Sequence, residues 1–148
     1  MSGTRLRGAA LLVAAGWLAA CGGSPPPSPA PAAPAHEIVI RSLTPGKDVY
    51  VFRIEDAAAR RIEFANGKIE GDGRVYLHPD QKVYALFIHG VGSYRQALPT
   101  DGPVTLVFYK LTSGGRARVE WNGATREIET VSPVVAGEWE QVALAPAR

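Results

Sequence analysis

From residue 37 onward, apolar and polar side chains alternate with a period of two in short runs broken by Gly, Pro, Asn and Asp, and no stretch keeps a helical period for three turns. The alternation predicts strands near 37–42, 48–55, 61–65, 68–70, 74–77, 82–88, 104–110, 116–121, 124–130 and 138–144. Only residues 56–60, with three consecutive alanines, read as a helical turn. Short strands closed by frequent turns predict an all-β domain, an antiparallel β-sandwich with jelly-roll connections.

Two hairpins are specified down to residue pairs. Asn66-Gly67 and Asn122-Gly123 each suit a type I′ turn, whose two central residues need positive φ. The first turn would set Phe64 opposite Ile69. The second would set Arg116 across from Glu129 and Arg118 across from Glu127, with Ala117 and Ile128 on the opposite face. Charge pairs on one side and apolar residues on the other describe a sheet with one wet face.

Two runs are apolar on both faces. In 82–88 one face shows Val83, Ala85 and Phe87 and the other Tyr84, Leu86 and Ile88, and 104–109 behaves likewise. Both read as central strands of two packed sheets whose second faces need cover from a loop, a partner or a ligand.

The amino-terminal pattern is different. Arg5 and Arg7 precede an uncharged, mostly apolar stretch from Ala9 to Ala20. That is too short for a membrane span of roughly 20 residues, but it suits the apolar region of a secretory signal. It ends in Leu18-Ala19-Ala20-Cys21, which resembles the lipobox of bacterial lipoproteins. The resemblance implies a signal peptide over 1–20 and a mature chain starting at Cys21, the lipidation site. Covalent lipid there would be its membrane partner, with no other cofactor. Gly22 stands where an aspartate would retain an enterobacterial lipoprotein in the inner membrane, so the resemblance favours the outer membrane. Residues 22–35 hold six of the twelve prolines and no charge. The segment from Cys21 to residue 36 thus reads as a disordered, partly polyproline tether ahead of the 37–148 sandwich.

Composition sharpens this division. The net charge of +2 comes entirely from Arg5 and Arg7, and the remainder of the chain is balanced. Balanced charge gives no electrostatic case for nucleic acid as a partner. A single cysteine excludes an internal disulfide and a Cys-rich zinc module. His36, His78 and His89 are too far apart in sequence to form a local metal pair, and Asp72 and Asp80 lack a calcium-binding ladder, so no metal is expected.

Residues 103–144 resemble the closing half of the jelly-roll modules found in carbohydrate-binding and galactose-binding-like domains. The resemblance is carried by Val104–Lys110, the Gly114-Gly115 turn, Val119–Gly123 and Gly137–Leu144. It implies aromatic platforms for pyranose faces and polar side chains for hydroxyls. Candidates are Tyr94 and Arg95 in a long loop spanning 89–103, Trp121 at a hairpin tip, and Tyr84 and Tyr109 on the second faces. Trp139 reads as core.

Catalytic signals are weak. Gly90-x-Gly92 has no third glycine or following helix to make a phosphate loop, and Ser93 lacks a nucleophile-elbow context. Glu138 and Glu140 project from one face of a final strand, where solvated charge is the ordinary reading. The expectation is therefore a non-catalytic, membrane-anchored envelope lipoprotein whose sandwich binds a glycan or another envelope component. The alternative is an assembly lipoprotein docking an envelope protein through an apolar sheet face or edge strand. Stable anchoring takes two acyl chains, so Cys21→Ser is expected to move the protein from the membrane to the soluble fraction on cell fractionation.

Overall fold

The computed structural model describes residues 36–64 and 66–147. The signal segment, Cys21 and nearly all of the proline-rich tether lie outside the described residues. Within them the chain is all-β, an antiparallel sandwich built from one folded sheet. Its strands are β1 (His36–Ser42), β2 (Asp48–Asp56), β3 (Arg61–Ile62), β4 (Lys68–His78), β5 (Val83–Leu98), β6 (Val104–Lys110), β7 (Arg116–Trp121), β8 (Ala124–Glu129) and β9 (Glu138–Leu144). Residues 56–60 form a turn closed by Asp56, whose carboxylate accepts backbone N–H bonds from Ala58 and Arg60, and no helix forms there.

One long strand belongs to both layers. The first half of β5 pairs with β2, which continues through β6 to β9; its second half pairs with β1, which continues through β7 to β8. Strand β4 accompanies β5 along its other side. The sheet turns at Gly90–Gly92, where β5 carries extra residues opposite Gly71. Backbones touch at this crossing: a Cβ on Gly71 would meet the Val91 carbonyl at 2.8 Å, and one on Gly92 would meet the Glu70 carbonyl at 2.8 Å. Positive φ at Gly71 and Gly90 completes the bend. Gly90 and Gly92, which make no phosphate loop, form the corner between the two layers of this one sheet.

The corner overturns the expected loop over 89–103. Beyond Gly92 the sequence alternates Tyr94, Gln96 and Leu98 inward with Arg95 and Ala97 outward, so β5 runs on to Leu98 against β1. The irregular connection shrinks to residues 99–103.

Of the two Asn-Gly turns, one behaves as expected. Asn122 and Gly123 have φ of 43° and 80°, and the β7–β8 register pairs Arg116 with Glu129, Ala117 with Ile128 and Arg118 with Glu127. Asn66-Gly67 does not close a hairpin. Strand β3 pairs with β2 while β4 pairs with β5. Gly67 instead gives room to the Tyr94 ring, which a Cβ would strike at about 2 Å.

Inner faces of both layers share one core. Ile38 and Ile40, Val49 and Val51, Leu86 and Ile88, Leu106 and Phe108, and Val142 all converge there. Tyr94 and Trp121 are among its largest fully buried side chains. The buried polar ends are matched: the Tyr94 hydroxyl donates to Gln96 Oε1, Gln96 Nε2 donates to the Glu63 carbonyl, and Trp121 Nε1 donates to the Gly102 carbonyl.

The corner yields a stability test. Gly92→Ala forces a methyl group against the Glu70 carbonyl and should cost about 1–3 kcal/mol of unfolding free energy. Gly102→Ala meets nothing closer than 3.6 Å and should change stability by less than about 0.5 kcal/mol. Urea titrations of both variants, followed by tryptophan fluorescence, make the comparison.

Candidate functional site

The outer face of the β9–β6–β2–β5 layer is aromatic. Trp139, Tyr109, Tyr50 and Phe87 are successive Cα partners across these four strands, and Arg74 on β4 extends the row by one. Five positions at the strand spacing span about 19 Å. The rings of Tyr109 and Trp139 lie 4.5 Å apart, and those of Tyr50 and Phe87 lie 4.7 Å apart. The Arg74 guanidinium sits 5.4 Å from the Phe87 ring centre and 5.9 Å from that of Tyr76.

A bulge in β2 adds a further ring. The register with β6 shifts between Val51 and Arg53, which leaves Phe52 as an extra residue on the outer side. Phe52 packs edge-on against Trp139 at 4.8 Å and against His78 at 5.8 Å. It is buried under its neighbours while Trp139 remains 52% exposed. Phe52 therefore acts as a floor beneath an accessible indole.

Beside the row lies a cleft of about 350 Å³, whose lining includes Tyr50, Phe52, Tyr76, His78, Tyr109 and Trp139 together with the polar Asp80 and Gln81. Its polar groups are suited to hydroxyls. Burial pushes the Tyr50 hydroxyl above the usual phenol range, with Tyr76 and Asp48 adding to the effect. Burial does the same for Tyr76. Both are neutral O–H groups at physiological pH, able to donate and accept. Nδ1 of His78 is buried with no hydrogen-bond partner among the described residues. The Tyr109 hydroxyl donates to the Ala136 carbonyl, which fixes that ring.

The sequence candidates separate on this map. Tyr109 is in the row. Tyr94 and Trp121, at 0% and 1% exposure, are core residues and cannot stack on a ligand. For Tyr94 the physical cause is strand parity, since the segment read as a loop is a strand that turns Tyr94 inward. Trp121 points inward with Val119 and Ala117, one residue before the turn it was thought to crown. Tyr84 shares the inner side with Leu86 and Ile88 and is exposed only because it lies beyond the margin of the core. Arg95 lies in the other layer, 3.6 Å from Glu37. Glu138 accepts the Ser132 hydroxyl and Glu140 pairs with Lys110 Nζ at 3.1 Å, so both carboxylates are held in structural contacts.

Trp139, Tyr50, Phe52, Tyr76 and Phe87 make the site without having been singled out for it. A signal was present for Tyr50 and Phe52: Val49-Tyr50-Val51-Phe52 is apolar on both faces, like the two runs that did attract notice.

No protein-family model matches the chain, and neither a curated protein nor a solved structure does.

One row along from the aromatics, His89 is flanked in register by Asp48 and Asp72. Its Nδ1 bonds Asp48 Oδ1 at 2.7 Å. This hydrogen bond, with the charges of Asp48 and Asp72, holds the imidazole pKa above its ordinary value of 6.5. The folded state thus favours the protonated ring. Its stabilising effect is complete below about pH 6.5 and disappears as the pH rises through the raised value. An NMR titration should place the His89 midpoint above the ordinary histidine value of about 6.5, and Asp48→Asn should lower it.

Proposed function

We propose that the protein is an envelope lipoprotein, held at the outer membrane through lipid on Cys21, whose sandwich is a non-catalytic binding module for a linear glycan. The row Trp139–Tyr109–Tyr50–Phe87 carries this reading. Pyranose rings present apolar C–H faces that stack on aromatic rings, while their equatorial hydroxyls need donors and acceptors at the margin. A row across several strands, flanked by the Tyr50 and Tyr76 hydroxyls, His78, Asp80 and Gln81, offers both. Its length suits several rings of an extended chain better than a single terminal sugar. Leaving aromatics uncovered on this face costs free energy, and a ligand that covers them recovers it.

The tether is part of the same reading. Fourteen residues of a proline-rich segment at roughly 3.1 Å each reach about 40 Å, enough to let the module sample a polymer away from the bilayer.

Affinity electrophoresis through gels containing neutral or uronate-bearing linear polysaccharides tests the proposal. At least one polymer should retard the protein. Trp139→Ala should weaken that retardation about tenfold or more, the scale of losing one aromatic anchor. Arg95→Ala, in the other layer, should leave it unchanged. Retardation indifferent to Trp139→Ala and Tyr109→Ala would remove the site assignment, and no retardation by any polymer would remove the glycan reading.

A further inference from the structure

Strand β4 pairs only with β5, and between residues 69 and 77 its outward N–H and C=O groups have no hydrogen-bond partner among the described residues. An edge of this length is a template for another strand. Its inner side is apolar. Ile69 and Val75, with Phe64 and Tyr84, line an open groove of about 390 Å³, and Leu77 next to it is 49% exposed. On the outer side Asp72 and Arg74 are exposed and have no ion-pair partner within 4 Å among the described residues.

We propose that this edge takes a second copy of the same chain, β4 against β4, antiparallel about a two-fold axis at Gly73. Residues directly opposite in an antiparallel pair share a face, so their side chains must suit each other. About Gly73, Asp72 faces the partner's Arg74, and Arg74 faces the partner's Asp72. Moving the axis to residue 72 would oppose two aspartates, and moving it to residue 74 would oppose two arginines. Charge therefore selects the register, and the two-fold makes the interface self-complementary and closed.

The pairing has a geometric result. A two-fold perpendicular to the sheet keeps both outer faces on the same side, so the aromatic rows of the two copies lie side by side, offset by two residues or about 7 Å along the strands. The inference rests on the edge alone and does not depend on what the rows bind.

Sedimentation velocity of the full chain in density-matched detergent provides the test. The unaltered protein should reach twice the monomer mass as concentration rises. Asp72→Arg and Arg74→Asp should each raise the dissociation constant at least about tenfold, because each turns both salt bridges into like-charge contacts. The combined swap, Asp72→Arg with Arg74→Asp, rebuilds both pairs in reversed order and should restore the dimer. A protein that stays monomeric at the highest attainable concentration overturns the proposal. So does a dimer indifferent to the single substitutions, or one the combined swap does not recover. Both side chains are on the surface, and fluorescence-detected urea titration separates any folding defect from lost association.

Discussion

The close passage of backbone at Gly71 and Gly92, with the positive φ of Gly71 and Gly90, is the constraint on which the architecture depends. A strand as long as β5 can serve two layers only if it turns through a sharp corner while keeping β4 alongside, and the corner has no volume for a side chain at Gly71 or Gly92. Because it exists, β1 and β2 never pair with each other; each finds its place on a different half of β5. The core fills the angle between those halves. Replacing the corner with an ordinary loop would leave two separate sheets without the shared strand that aligns their inner faces.

The outer aromatic face follows from the same economy of surfaces. Inner positions of β2, β5, β6 and β9 are filled by Val, Ile, Leu and Phe facing the core. Rings at the alternate positions can only look outward. There they cover one another in part: Phe52 lies under Trp139, Tyr50 against Phe87, and Arg74 over the end of the row. What remains open is the Trp139 indole and the cleft beside it. The face is rigid, since its rings are fixed by strand register and by the bonded Tyr109 hydroxyl.

Much of this was legible in the residue pattern and some was not, for identifiable reasons. All-β character, the β7–β8 register and the doubly apolar strands followed from period two and one Asn-Gly turn. The second Asn-Gly pair misled because a dipeptide records local backbone preference, whereas Gly67 is needed for the distant ring of Tyr94. Glycines at 90 and 92 are ordinary loop signals, but here they make a corner within one strand, and the alternation after them turns Tyr94 inward. Trp121 and Trp139 exchanged their expected places. Both sit at strand positions of suitable parity, and only the three-dimensional neighbours decide that one faces the core and the other the cleft. Side-chain type alone does not separate a structural aromatic from an accessible one.

The pairing of β1 has a consequence for the order of events in folding. This first strand is held between residues 92–98 of β5 and residues 117–121 of β7, so neither neighbour exists when β1 emerges. Loop-closure entropy must be met before either ladder forms, which makes assembly slow and nearly all-or-none. Strand β1 therefore stays unpaired until residues 92–98 and 117–121 have been made, although β4 and β5 can already pair across their short connection.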